Sequence, residues 1–399
     1  MDADGFDLAL LPPAFLHDPY PTYRALQLHD PVRRMPDGSL FLTRHADLSR
    51  IYRDAATFSS GKAEEFRPKF GASPLYDHHT TSLVFNDPPL HTRVRRLIAG
   101  ALTPRAIAAM EPGLTMAVDA LLDRMAGAAD LIADYAAAIP IEVIGNLLGV
   151  PAGERGPLRG WSLAILGALE PVLTPAAAAA GNLAVTEFLS YLDALTRARR
   201  ARPGDPTQDV LTRLMQADPA GDRLVQAELL HNCIFLLNAG HETTTNLIGN
   251  ALVLLADYPE QRARLLADPA LLRPAIEEVL RYESSNQLGN RAMTQAADIG
   301  GTAYPAGTRL TLCIGAANRD PEAFADPGRF DIGRTPNRHL AFAAGIHQCV
   351  GMSLARMEGA VAVGRFLARF PRYALAGPPV RGLRARFRGY TSAPAALDG

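Results

Sequence analysis

Apolar residues recur at three- and four-residue spacing along most of this chain, and that period predicts a mainly helical protein. Short helices are predicted over 21–28 and from 46, the second following a strand-like Leu40-Phe41-Leu42-Thr43. Residues 59–84 mix Gly, Pro, Ser, Lys and paired histidines without a period and are expected to form a long loop. A helix over 90–102 starts behind Pro88-Pro89, helical spacing continues through 114–200, and 171–180 reads as a helix–helix connection. The segment 225–256 has no proline and a continuous apolar stripe, so it would cross a whole domain, about 45 Å at 1.5 Å per residue. Its centre, Ala239-Gly240-His241-Glu242-Thr243-Thr244-Thr245, breaks helix propensity without an evident packing reason, as functional sites do. Beyond 284 the period changes. A turn over 303–308 leads into a strand Arg309 to Cys313, and an irregular Gly/Pro/Asp/Arg-rich stretch fills 317–345. A last helix is expected over 351–370, then strand-like pieces. The fold class is therefore mainly α with a small β portion. No linker or fixed-length repeat divides the chain, which reads as one domain over 1–399.

Composition narrows the function. The 399 residues are 48% hydrophobic, and 40 basic against 41 acidic residues leave a net charge of −1. That balance argues against nucleic acid as a partner. Three scattered cysteines without a CxxC pair disfavour a disulfide scaffold, a structural zinc site or an iron–sulfur cluster, and fit reducing cytoplasm. The N-terminal residues lack a signal pattern. No apolar run reaches the roughly 20 residues of a membrane span, because His241 and Glu242 interrupt 233–255. A cytoplasmic chain without a membrane is the expectation.

A lone cysteine is most often a small buried hydrophobe. Cys349 stands out by its setting, Phe342-Ala343-Ala344-Gly345-Ile346-His347-Gln348-Cys349-Val350-Gly351, with a helix starting just behind. A helix N-terminus stabilises a thiolate, and glycines let the backbone approach a flat cofactor. This stretch resembles the cytochrome P-450 signature Phe-x-x-Gly-x-His-x-Cys-x-Gly at every fixed position. Ala343 stands where the family often has glycine. The resemblance implies a haem b whose iron is ligated by Cys349 and which lies between the long central helix and the cysteine loop. Phe342, Gly345, His347 and Gly351 would belong to the haem-binding loop.

Three further elements follow in the family's order. Glu278-Val279-Leu280-Arg281 would be a weak surface pair if isolated. By resemblance Glu278 and Arg281 are structural and pair with an arginine of the irregular stretch, Arg329. Ala239-Gly240-His241-Glu242-Thr243-Thr244 is equally compatible with threonines bonding back to the preceding turn and bending the helix. It resembles the family's oxygen-binding pattern, which implies that Thr243 hydrogen-bonds the bound dioxygen and Glu242 relays protons to it. His91 and Arg95, four apart on one helix face, and Arg291 and His347 match the cations that hold haem propionates.

The resemblance covers about residues 15–393. It implies a monooxygenase that hydroxylates or otherwise oxidises a small organic substrate. Dioxygen would be co-substrate, and electrons would come from NAD(P)H through a separate ferredoxin or flavodoxin. The donor would dock on a basic patch of Arg93, Arg96, Arg105, Arg338 and Arg356, against the alternative of scattered solvated arginines. The pocket would draw on the loop 59–84, on Phe235, Asn238 and Ala239, on Asn286, Gln287 and Leu288, and on Tyr390. Asn238 replaces a usual aliphatic residue. Asn238 and Asn286 either hydrogen-bond a polar group of the substrate or cap local backbone. Oxidative coupling, peroxide-driven oxidation, a non-catalytic haem protein and a cofactor-free interaction protein remain as alternatives.

Overall fold

The computed structural model describes residues 5–206, 209–218 and 221–397. The apolar stripe of 225–256 forms one helix, Gln226–Asp257, of 32 residues. It starts where Glu228 accepts the Val225 N–H at 3.0 Å and stops two residues before Pro259. Helices Ala138–Leu147, Gly156–Gly167, Pro175–Ala201, Leu272–Tyr282 and Met352–Arg369 pack around it. Gly240 has a packing reason after all. A Cβ there would lie 2.6 Å from Ile144 Cδ1, so the glycine lets the Ala138–Leu147 helix come close at mid-length.

The β portion is a five-stranded sheet in the order Val32–Arg34, Leu40–Leu42, Arg309–Cys313, Leu288–Met293 and Phe58–Ser59. Leu40–Leu42 runs parallel to Arg309–Cys313 with Leu40 opposite Leu310, and the other pairings are antiparallel. The stretch expected as a loop over 59–84 instead holds two helices, Ala63–Phe70 and Pro74–Thr81. Ser73 caps the second by accepting the Tyr76 N–H at 3.3 Å, and Pro74 sits at its first position. Their inward residues are Phe66, Leu75, His78 and His79, all buried. The two histidines disguise the apolar period.

The irregular stretch 317–345 is held by a buried ion cluster. Glu278 accepts Arg281 Nε and Nη2, each at 2.8 Å, Arg334 Nε at 3.2 Å, Asn337 Nδ2 at 3.1 Å and the Asp331 N–H at 3.0 Å. The partner arginine is thus Arg334, not Arg329. The exposed Arg329 contributes only its carbonyl, which accepts from Arg281 at 3.0 Å and from Arg334 at 3.1 Å. Sequence spacing cannot choose between two arginines five apart in an irregular segment.

Candidate active site

A cavity of about 340 Å³ lies between the long helix and the loop ending at Cys349. The loop turns sharply before the cysteine. Ala343 sits at φ 53° and Gly345 at φ 71°, and the Cys349 N–H closes onto the Phe342 carbonyl at 2.9 Å. A Cβ on Gly345 would lie 2.1 Å from the Tyr52 carbonyl, so only glycine fits there. Ala343 tolerates the left-handed region at a cost of about 1–2 kcal/mol. The helix Met352–Arg369 starts three residues behind the sulfur, which opens into the cavity. The protein packed round it pushes the thiol above its usual range, while the Gly351 N–H, Arg95 and Arg356 pull the other way. A metal ion bound to the sulfur would reverse that balance.

His91, Arg95, Arg291, Phe342, His347 and Gly351 also line the cavity. Gly345 does not; it acts on the loop from behind. Arg95 gives one N–H to the Gln348 carbonyl at 2.7 Å, and Arg291 one to the Asn290 carbonyl at 2.7 Å. Neither has a carboxylate within ion-pair distance among the described residues. Both ring nitrogens of His91 and Nε2 of His347 are buried without a hydrogen bond. His347 Nε2 stands 3.8 Å from Asp87 Oδ1, and the two imidazole rings lie 4.0 Å apart. Burial, together with His347 and Arg95, lowers the pKa of His91 to about 4. Two uncompensated guanidiniums and orphaned imidazole nitrogens around one sulfur are the donor set that a planar metal complex with two carboxylates requires. The residues fit a haem.

Across the cavity the long helix contributes Phe235, Asn238, Ala239, Gly240, Thr243 and Thr244. Thr243 Oγ1 donates to the Ala239 carbonyl at 2.6 Å, the bond-back geometry that loosens a helix at this turn. Glu242 is placed differently from the expectation. It lies outside the cavity wall, buried and ion-paired to Arg384, with Oε2 unpartnered. Burial raises its pKa against the opposing pull of Arg384. Arg384 also holds Glu170 at 3.1 Å, linking the segment after the Gly156–Gly167 helix to the long helix. Sequence reading missed Arg384. Its signal is the alternation Arg384, Arg386, Arg388 in an extended segment, which puts three cations at every second position.

Of the expected pocket residues, Phe235, Asn238, Ala239, Asn286 and Leu288 line the cavity, whereas Gln287 and Tyr390 do not. Gln287 is buried against backbone, donating to the Ser284 carbonyl at 2.7 Å. Tyr390 stacks under Arg381, 3.9 Å from its ring centre. Arg386 and Phe387 take the place expected of Tyr390. The Oδ1 atoms of Asn238 and Asn286 are buried without a partner.

The expected basic patch is largely neutralised. Arg93 pairs with Glu228, Arg96 with Asp218 and with Asp222 at 2.8 Å, and Arg356 with Glu277 at 2.7 Å. Arg105 and Arg338 alone of the five have no carboxylate within ion-pair distance among the described residues. No helix among those residues is long and apolar enough to cross a membrane.

The family model described as Cytochrome P450 matches residues 168–373. The chain is 39% identical to Cytochrome P450 107B1 of Saccharopolyspora erythraea, covering 96% of this chain and 94% of that one. It is 37% identical to Cytochrome P450 monooxygenase PikC of Streptomyces venezuelae, over 95% and 92% of the two chains. Its fold matches that of P450BioI, solved with an acyl carrier protein bearing hexadec-9Z-enoic acid. That match has a TM-score of 0.91 and 32% identity over 96% of this chain and 100% of the other. The family implies a haem cofactor and dioxygen acting on small organic molecules. This chain belongs to the cytochrome P450 family and is an oxidoreductase of its monooxygenase type.

Proposed function

We propose that the chain is a haem-thiolate monooxygenase in which Cys349 holds the iron of haem b. The observation that carries this reading is the single sulfur opening into a cavity whose wall holds two uncompensated guanidiniums and unpartnered imidazole nitrogens. When bound, the haem supplies dioxygen activation, and the thiolate's electron donation favours O–O cleavage. Arg95, Arg291, His91 and His347 hold its propionates. Thr243, on the cavity side of the loosened turn, offers a hydroxyl to the oxygen. Glu242 supplies protons from behind, exchanging its bond to Arg384 for one toward Thr243. Asn238 and Asn286 turn their amides to a polar group of the substrate.

Two electrons come from NAD(P)H through a ferredoxin or flavodoxin in the cytoplasm. The ion pairing of Arg93, Arg96 and Arg356 leaves Arg105 and Arg338 as the cations that steer it. The test is turnover under ¹⁸O₂ with ferredoxin, its reductase and NADPH, on ligands first selected by the spin-state shift of the iron. One labelled oxygen atom per product molecule is expected. Product whose new oxygen comes from water, or turnover with peroxide and none with dioxygen and the electron donor, would overturn the reading.

A further inference from the structure

We propose that the substrate is an amphipathic monocarboxylate whose head group is bound by Arg386, with Lys62 beside it, at the cationic end of the cavity. This deepens the monooxygenase reading and rests on it for the reaction, though not for the binding.

Arg386 lines the cavity and is half-buried. Its side chain meets three neutral oxygens: the Leu169 carbonyl at 3.1 Å, the Leu288 carbonyl at 2.7 Å and Asn290 Oδ1 at 2.6 Å. A guanidinium has five N–H donors, so donors remain. No carboxylate lies within ion-pair distance of that guanidinium among the described residues; Glu170 Oε2 accepts the Arg386 backbone N–H at 3.1 Å and, with Glu65, acts on the charge from further off. A buried charge without a counter-ion is costly, and a ligand that supplies the opposite charge removes the cost.

The surrounding charges do not cancel. Lys62, in the same wall and 2% exposed, holds Glu65 at 2.6 Å. Arg384 is shared by Glu242 and Glu170, and Lys69 bonds the Glu170 carbonyl at 2.7 Å. Four cations, Lys62, Lys69, Arg384 and Arg386, thus face three carboxylates, Glu65, Glu170 and Glu242. Within this group one positive charge is left over. His78 and His79 in this wall are kept neutral by burial. Arg95 and Arg291 stand apart from it and would face the two propionates of a haem, with Asp87 also acting on Arg291. The excess is therefore local to the Arg386 end, where a single carboxylate would meet it.

The rest of the wall sets the body of that ligand. Leu83, Val84, Phe85, Leu166, Phe235 and Phe387 present apolar surface. An apolar chain or ring system would occupy that surface, with its carboxylate at Arg386.

The test is calorimetric titration of the haem-loaded protein with dodecanoate and with its methyl ester. The acid should bind at least about tenfold tighter, as one charge-assisted hydrogen-bond pair requires. Arg386→Gln should erase that difference while leaving ester affinity and haem content unchanged, and Arg386→Lys should retain part of it. Equal affinities in the wild type, or no binding of dodecanoate, would overturn the proposal. So would an Arg386→Gln protein that folds but loses haem, since the charge would then serve the cofactor. Because calorimetry reads binding alone, a failed monooxygenase assay would leave this comparison standing.

Discussion

Glu278→Gln isolates the buried cluster beneath the cysteine loop. The carboxylate accepts five hydrogen bonds, four of them from Arg281, Arg334 and Asn337 side chains, and neither Glu278 nor Arg281 has any exposed side-chain surface. The amide keeps the volume but removes the charge that two guanidiniums share. Removing one partner of a buried pair costs about 3–5 kcal/mol, because the remaining charge stays buried. The comparison is Asp37→Asn, whose partner Arg309 is 48% exposed while Asp37 is 56% exposed; that pair is worth no more than about 1 kcal/mol. Urea unfolding at neutral pH, with m unchanged, reads the difference directly. The same assay separates Arg334→Gln, expected to cost about 2–4 kcal/mol, from Arg329→Gln, expected within about 0.5 kcal/mol. Equal losses for Glu278→Gln and Asp37→Asn, or a larger loss for Arg329→Gln than for Arg334→Gln, would refute the reasoning.

Further predictions bear on the cavity. Gly345→Ala must displace the Tyr52 backbone and should prevent haem retention, scored as haem per protein after purification. Thr243→Ala should lower product per NADPH by about tenfold or more while NADPH oxidation continues, and Arg384→Gln should shift the pH dependence of that ratio by removing the charge that opposes Glu242 protonation. Glu358, buried in the cavity wall with Oε2 unpartnered, has its pKa raised by burial from 4.5 to about 8. The folded state therefore holds a proton that the unfolded state has lost between about pH 4.5 and 8. Stability should fall across that window, by several kcal/mol in total. Glu358→Gln should flatten the fall, and an unchanged urea-midpoint profile would contradict the assignment.

The helical frame was legible because its signals are local. A long apolar stripe and a run free of proline placed the helix Gln226–Asp257 within one residue at each end. The cysteine loop was legible by its resemblance to a family signature, and one of that signature's glycines, Gly345, stands where a Cβ would meet the Tyr52 carbonyl. Side-chain partners across long separations were not. Arg334 rather than Arg329 reaches Glu278 over an irregular stretch with no period to set direction. Arg384 reaches Glu242 across 142 residues. Residues 63–81 hid two helices because Pro68 interrupts the first and buried histidines stand in the second where an apolar period was sought. Gln287 and Tyr390 were misplaced because a segment can line a cavity while single residues in it turn to backbone or to a neighbouring arginine.

The account turns on sulfur ligation by Cys349, and the absorption spectrum of the reduced, CO-bound protein tests it most directly. A strongly red-shifted Soret band, lost in Cys349→Ser, is the predicted result. A Soret band at the position of imidazole-ligated haem proteins, or one unchanged in Cys349→Ser, would contradict it.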